Sequence, residues 1–228
     1  MRYCETAELY KTSASIAYGY ISGFRYPWEA LSGLGEEIVR IGKGLSPEKY
    51  ELVGDDIWIA RSATVAASAS ISGPCIIDEN AEVRHCAFIR GKAIVGKGSV
   101  VGNSTELKNC ILFDGVQVPH YNYVGDSILG YRSHMGAGSI TSNVKSDKTP
   151  VTVKNGTDFI DTGLKKCGAF LGDLVEIGCG SVLNPGTVIG VNTSVYPLSS
   201  VRGVLPSECI YKSHCEIVER EKRTSAMQ

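Results

Sequence analysis

The side chains of this 228-residue chain that could bind charge or move a proton fall in one short stretch. His120 offers an imidazole, whose ordinary pKa near neutrality suits a general base. Glu106, upstream of it, offers a carboxylate to hold that ring in one tautomer. Arg90 and Lys108 stand 18 residues apart. If the fold stacks them, two like charges lie about 5 Å from each other, which is costly unless an anion or water lies between. A phosphate or carboxylate ligand meets that need. Arg84, Gly102 and His120 repeat the 18-residue spacing, and a glycine at 102 would leave room for a ligand beside the imidazole.

The elements that must position these groups follow from a period of six. From Val53 an apolar residue recurs at every sixth position: Val53, Ile59, Val65, Ile71, Ile77, Val83, Ile89, Val95, Val101, Leu107, Phe113 and Pro119. A column of mostly small residues follows four places later, as at Ala63, Ala69, Cys75, Ala81 and Ala87. The period returns at Leu171, Ile177, Leu183, Ile189, Val195 and Val201. A helix turns about 100° per residue and cannot keep every sixth residue on one face. Short strands with a corner every six residues can. This is the signature of a parallel β-helix. Three hexapeptides close one triangular coil of about 18 residues, and each coil pairs with the next about 4.8 Å away. The prediction is an all-β chain of about seven coils over residues 51–208, with Lys108 directly above Arg90.

Composition agrees. Ile 19 and Val 21 against Leu 14 is a β-rich balance, and Gly 26 supplies corners. With 23 Lys+Arg against 24 Asp+Glu the net charge is −1, which argues against a dedicated nucleic-acid binder. Eight cysteines include no C-x-x-C pair, so they read as reduced thiols and no metal site is expected. No stretch is long enough for a membrane helix or shaped like a signal peptide, so a cytoplasmic location is expected.

Three segments depart from the repeat. Residues 1–50 contain an amphipathic helix starting near Pro27 and stopping at Gly42 and Gly44, expected to cap the open end of the coil. The register slips by one after Pro119-His120, and the chain leaves the repeat in a lysine-rich excursion over 141–168. Residues 209–228 form a tail, with a short charged helix expected over 216–222.

The period resembles that of the hexapeptide-repeat acyltransferases, whose coil is a left-handed parallel β-helix. Three segments sharpen the likeness: Val101-Gly102-Asn103-Ser104-Thr105-Glu106-Leu107-Lys108, Pro119-His120-Tyr121-Asn122-Tyr123-Val124-Gly125-Asp126 and Gly136-Ala137-Gly138-Ser139-Ile140-Thr141-Ser142-Asn143. They are similar to the acetyltransferase domain of the bifunctional glucosamine-1-phosphate acetyltransferase / N-acetylglucosamine-1-phosphate uridyltransferase. Residues 163–173 resemble archaeal sugar-1-phosphate nucleotidylyltransferases with an acetyltransferase tail. The resemblance covers about residues 53–205. It implies that His120 is the catalytic base with Glu106 beside it. Arg90, Lys108, Tyr123 and Asn143 would bind substrate. Cys179 and Pro197 would meet coenzyme A, with Lys148 on the excursion a further contact. It also implies acetyl-CoA as co-substrate, an amino-sugar 1-phosphate as acceptor, and a homotrimer. The nucleotidyltransferase motif G-x-G-T-[RK]-[ML] does not occur, so uridyl transfer is not expected. Two other readings compete: a non-catalytic trimeric scaffold, and an acyltransferase for another anionic substrate. A zinc hydratase on the same fold is disfavoured, because His85, His120, His134 and His214 provide no H-x4-H pair.

Overall fold

The computed structural model describes residues 3–212 and 216–220. Short parallel strands wind into a solenoid with three faces. The first face stacks Ile57–Ala60, Cys75–Ile77, Ala93–Val95, the second halves of Glu106–Leu112 and Tyr123–Leu129, then Ala169–Leu171, Thr187–Ile189 and Val204–Leu205. The second face stacks Thr64–Val65, Glu82–Val83, Val100–Asn103, Gln117–His120, His134–Met135, Glu176–Ile177, Ser194–Val195 and Cys209–Tyr211. The third stacks Ser70–Ile71, Phe88–Ile89, the first halves of Glu106–Leu112 and Tyr123–Leu129, then Ile140–Thr141, Val182–Leu183 and Ser200–Val201. This is the stacked-coil architecture that the period of six predicts. One aliphatic per hexapeptide fills the interior: Val83 pairs with Val101 and Val101 with Val118, all buried.

The register differs from the expectation in two places. The coils begin at Ile57 and not at Val53. Val53 is 52% exposed, within the strand Tyr50–Gly54 that runs antiparallel to Ile57–Ala60. The slip also comes earlier than His120. An 18-residue offset holds as far as Ile89 and Leu107, and 17 applies from Val95 and Leu112 up to the excursion; beyond it 18 returns, and the last coil pairs at 16. The hexapeptides after Leu107 and after Val124 have therefore lost one residue, so Leu112 and Val118 take the interior places expected for Phe113 and Pro119. Asn109 and Asp126 turn these shortened corners with φ of 49° and 50°. Asn and Asp tolerate that left-handed conformation better than most side chains.

The first face is buried on both sides. Ile76, Ile94, Ile111, Ile128, Phe170 and Val188 each precede an interior residue and point outward, yet all are 0% exposed. The N-terminal segment covers most of them. Its helix Leu34–Lys43 lies against Cys75–Ile77 and Ala93–Val95. The Trp28 ring sits 5.7 Å from that of Phe170, and the Tyr10 hydroxyl donates to the Ile128 carbonyl at 3.3 Å. Asp173 fixes the strap by accepting the backbone N–H groups of Lys11 and Thr12. The segment expected to cap the end of the coil therefore runs up its flank. The excursion continues the cover. Its hairpin, Thr152–Asn155 with Asp158–Asp161, lies against Thr187–Ile189 and Val204–Leu205, with Val151 and Val153 buried. Burying each large outward side chain stabilises the fold by about 1.5–3 kcal/mol.

The helical turns also differ in detail. Pro27–Leu31 is a 3-10 turn, Gly42 lies inside the following helix against Trp58, and Gly44 is its C-cap. The charged helix expected over 216–222 is not formed by the described part. Ile217–Glu219 is a strand antiparallel to Cys209–Tyr211. Residues 221 and 222 lie outside the described residues. Antiparallel strands thus end the stack at Tyr50–Gly54 and at Ile217–Glu219, occupying edges that would otherwise offer unpaired backbone groups.

Candidate functional site

Five of the six expected catalytic and substrate-binding side chains meet on and beside the third face. Lys108 follows Leu107, which pairs with Ile89, so it stands one coil above Arg90 as predicted. The anion needed to separate these charges comes from the protein itself. Arg90 Nη1 donates to Glu106 Oε1 at 2.7 Å. Lys108 Nζ donates to both oxygens of Asp126, at 3.0 and 3.1 Å. The bond to Glu106 raises the Arg90 pKa. The Arg90–Glu106 pair is open to solvent, where screening leaves an ion pair little net stabilisation. Lys108–Asp126 is tighter, with the aspartate side chain only 4% exposed.

Asp126 organises this corner. It also accepts from Asn109 Nδ2 at 2.8 Å and from Asn143 Nδ2 at 2.5 Å. Asn143 Nδ2 in turn lies 3.1 Å from the Tyr123 hydroxyl. Burial, and then the Asp126 charge, raise the Tyr123 phenol above its ordinary value. Asp126 and Asn109 are not among the site residues that the sequence points to. A signal is present in the sequence: Asp126 closes the segment Pro119–Asp126 that carries the family likeness, and both residues sit where the repeat loses a residue.

His120 ends the second-face strand Gln117–His120 and is exposed. Among the described residues no carboxylate hydrogen-bonds its imidazole. Glu106 is engaged with Arg90, so its expected role of orienting the ring is not met. What fixes the histidine is its backbone. The His120 N–H donates to Asn122 Oδ1 at 3.1 Å. Asn122 is buried, and its Nδ2 donates to the carbonyls of Gly136 and Ser139. The stacking also differs from the simple column. His120 pairs with Asn103, and Gly102 lies beneath Pro119, where a Cβ would overlap the Pro119 backbone. Gly102 is thus required by strand approach to Pro119 and does not stand in a column with the His120 ring. Arg84 is held by Glu82 at 2.8 Å.

Above His120 a ladder of hydrogen bonds climbs one edge of the solenoid. Gly138 N–H donates to the His120 carbonyl, Gly180 N–H to that of Ala137, and Leu198 N–H to that of Cys179. Cys179 is an exposed free thiol on this ladder, and Pro197 stacks on Gly178 next to it. A Cβ at Gly138 would meet nothing within 4 Å, so the corner above His120 is bare. Lys148 lies apart, exposed on an excursion turn closed by its own N–H to the Lys145 carbonyl. The other described cysteines are free, with Cys4, Cys75, Cys110, Cys167 and Cys209 buried. Cys215 lies outside the described residues.

Comparison with known proteins gives relatives of sugar-phosphate and acetyl-transfer enzymes. A bifunctional protein GlmU of Methanococcus maripaludis is 30% identical over 207 residues, covering 90% of this chain and 50% of that protein. The chain thus spans about half the length of that relative. The uncharacterized acetyltransferase YaiX of Escherichia coli O6:K15:H31 is 30% identical over 183 residues, 76% of this chain and 80% of its own. Among solved structures, a mutant of AntD, an N-acyltransferase from Bacillus cereus in complex with an amino-sugar nucleotide and coenzyme A, aligns at 18% identity and a TM-score of 0.37. That alignment covers 74% of this chain and 82% of that one. The family described as the GMPPB C-terminal domain matches residues 71–189, more than half of the sequence, and the chain belongs to that family.

Proposed function

We propose that this protein is an acetyl-CoA-dependent N-acetyltransferase for an amino-sugar 1-phosphate, with His120 as general base. The observation that supports this most is the exposed imidazole, fixed through its backbone by buried Asn122, below the bare edge at Gly138. The YaiX relative, named an acetyltransferase and covered over 80% of its length, points the same way. The acceptor amine attacks the thioester carbonyl. A C–N bond forms, the C–S bond breaks, and His120 takes the proton lost by the amine. The imidazolium then returns that proton to the departing thiolate, so the reaction needs no other reactant. The arm of coenzyme A lies along the ladder beside Cys179 and Pro197, with Lys148 a contact from the excursion. Tyr123 and Asn143, fixed by Asp126, hold the sugar near the base, which supplies orientation before the reaction. Arg90, Lys108 and Glu106 shape that corner. Three copies assemble as a trimer.

A thiol-release assay with acetyl-CoA tests this across amino-sugar phosphates, beginning with glucosamine-1-phosphate and galactosamine-1-phosphate. Release with at least one of them is expected, and release with none contradicts the proposal. One observation favours the non-catalytic scaffold instead: Glu106 and Asp126 already neutralise the basic pair. That reading predicts no stabilisation by acetyl-CoA. The enzyme reading predicts about 2.7 kcal/mol at a hundredfold excess over Kd.

A further inference from the structure

Three aspartates stand at the corner where the first face turns into the second: Asp78, Asp114 and Asp173. The N-terminal strap crosses this corner and meets them differently. Asp173 is saturated. Its Oδ2 accepts the Lys11 and Thr12 N–H groups and the Thr12 hydroxyl, and its Oδ1 accepts the Tyr131 N–H. Among the described residues Asp114 receives one donor, the Lys97 N–H on Oδ1 at 2.9 Å. Its own N–H donates to the Ala14 carbonyl of the strap at 3.0 Å. Asp78 is wholly buried. Its Oδ1 accepts the Tyr50 hydroxyl at 2.5 Å and the Glu79 N–H at 2.7 Å, while Oδ2 has no partner among the described residues.

A cavity of about 300 Å³ lies between strap and corner. Ser13 and Ser15 of the strap line it with Tyr50, Asp78, Lys97 and Asp114. Two carboxyls thus share one cavity, each with an oxygen that no protein donor satisfies. The coil between them holds Gly96, which has no side chain to part them. A buried carboxylate without a counter-charge is costly. Burial raises the Asp114 carboxyl above its ordinary range, and the Asp78 charge adds to the rise. Among the described residues no Lys, Arg or His lies within ion-pair distance of either acid. The Lys97 ammonium is turned to Glu79 Oε1 at 3.5 Å, an oxygen that Lys49 shares at 3.4 Å.

The missing charge has the character of a small, hard cation. The cavity offers carboxylate and hydroxyl oxygens and neither sulfur nor imidazole, which suits calcium or magnesium and not zinc or copper. At about 30 Å³ per water there is room for an ion and several waters. The cysteine pattern, which gives no reason to expect a metal, is untouched by such a site.

We propose that Asp78 and Asp114 hold a divalent cation of this class, with Ser13 or Ser15 of the strap and water completing the oxygen shell. The ion does at Asp78 and Asp114 what the strap N–H groups do at Asp173: it neutralises a corner carboxylate and fixes the strap to it. The site serves the cover of the first face and is separate from His120.

Calorimetric titration of the full chain with Ca²⁺ and with Mg²⁺, after treatment with EDTA, tests the site, with thermal unfolding as a second reading. At least one of the two ions should bind once per chain, and a hundredfold excess over Kd should raise the melting temperature by about 5–10 °C. Asp78→Asn and Asp114→Asn keep the shape and remove the charge. Each should weaken binding tenfold or more and remove most of the thermal shift. Asp147→Asn, at an exposed acid on the excursion, should leave binding within twofold. If Asp78→Asn does not fold, Asp114→Asn, at a half-buried position, still decides. Absence of binding by both ions overturns the proposal, as does binding indifferent to Asp78 and Asp114. A proton on Asp78 in place of a metal would show as a wild type that ignores both ions and an Asp78→Asn variant at least as stable, and that result also overturns it. None of these readings depends on acetyl transfer.

Discussion

The first and second faces are built from the same interior repeat and differ in what stands outside. On the first, Ile76, Ile94, Ile111, Ile128, Phe170 and Val188 point outward and are wholly covered by the N-terminal strap and the excursion hairpin. On the second, the outward places hold Glu82, Gln117, His134 and Glu176, and the strand Gln117–His120 ends on the bare histidine. One face has become core on both sides, like a strand of an all-parallel sheet. The other stays solvated and carries the imidazole proposed as the base. The contrast shows how a monotonous solenoid acquires a direction: the cover consumes one flank and leaves the others for ligands or partners.

The largest break in that contrast comes from removing cover. Phe170→Ala or Trp28→Ala should each cost about 3–5 kcal/mol in denaturant unfolding, because each empties a fully buried aromatic site. On the solvated side, Glu176→Gln should change stability by less than about 0.5 kcal/mol. If the two substitutions cost the same, the faces are not distinct in the way described.

Asp126→Ala comes next. It strips Lys108, Asn109 and Asn143 of a shared, buried acceptor, with an expected loss of about 1–3 kcal/mol. Asp126→Asn should recover part of it by keeping an acceptor oxygen. Gly42→Ala should be destabilising by about 1–3 kcal/mol, although alanine favours helices, because its Cβ would overlap the Trp58 ring. An unchanged melting temperature would show that the strap is not seated on the first face.

Alkaline pH acts mainly on the covered side. Burial pushes the Cys75 and Cys167 thiols up to about 12 and holds the Tyr10 and Tyr50 phenols well above their ordinary value. Groups raised on folding retain protons that the unfolded chain has lost. Their contribution is therefore complete below about pH 8 and falls as pH rises toward 12. Unfolding midpoints measured at pH 8 and pH 10.5 should drop, and the drop should shrink in Tyr10→Phe.

Much of the architecture was legible because the interior column is a one-dimensional signal. Val83, Val101, Leu171 and Ile177 fall on a period that no helix can sustain. Doubled aliphatics such as Ile76-Ile77, Ile94-Val95 and Ile128-Leu129 mark the covered face once per coil, but a six-residue count sees only the second of each pair, and the N-terminal segment reads as an end cap. What a strand buries on its outer side depends on distant chain, here Trp28 and Val153, and no local period reports it. The site was half legible. Spacing placed Lys108 over Arg90 and also sets Asp126 one 18-residue step beyond Lys108, but that each cation is already paired, Arg90 with Glu106 and Lys108 with Asp126, depends on side-chain reach that no spacing reports. The same shortening moved His120 off the Gly102 column and onto Asn103.

The central claim is that the solvated second face carries catalysis through His120. It is tested most directly by thiol release from acetyl-CoA in wild type and His120→Ala, at saturating acceptor and with matched melting temperatures. The account predicts that kcat falls by about 10²–10⁴-fold while acetyl-CoA still stabilises the variant against heat. A variant that is equally stable and retains full turnover would contradict it.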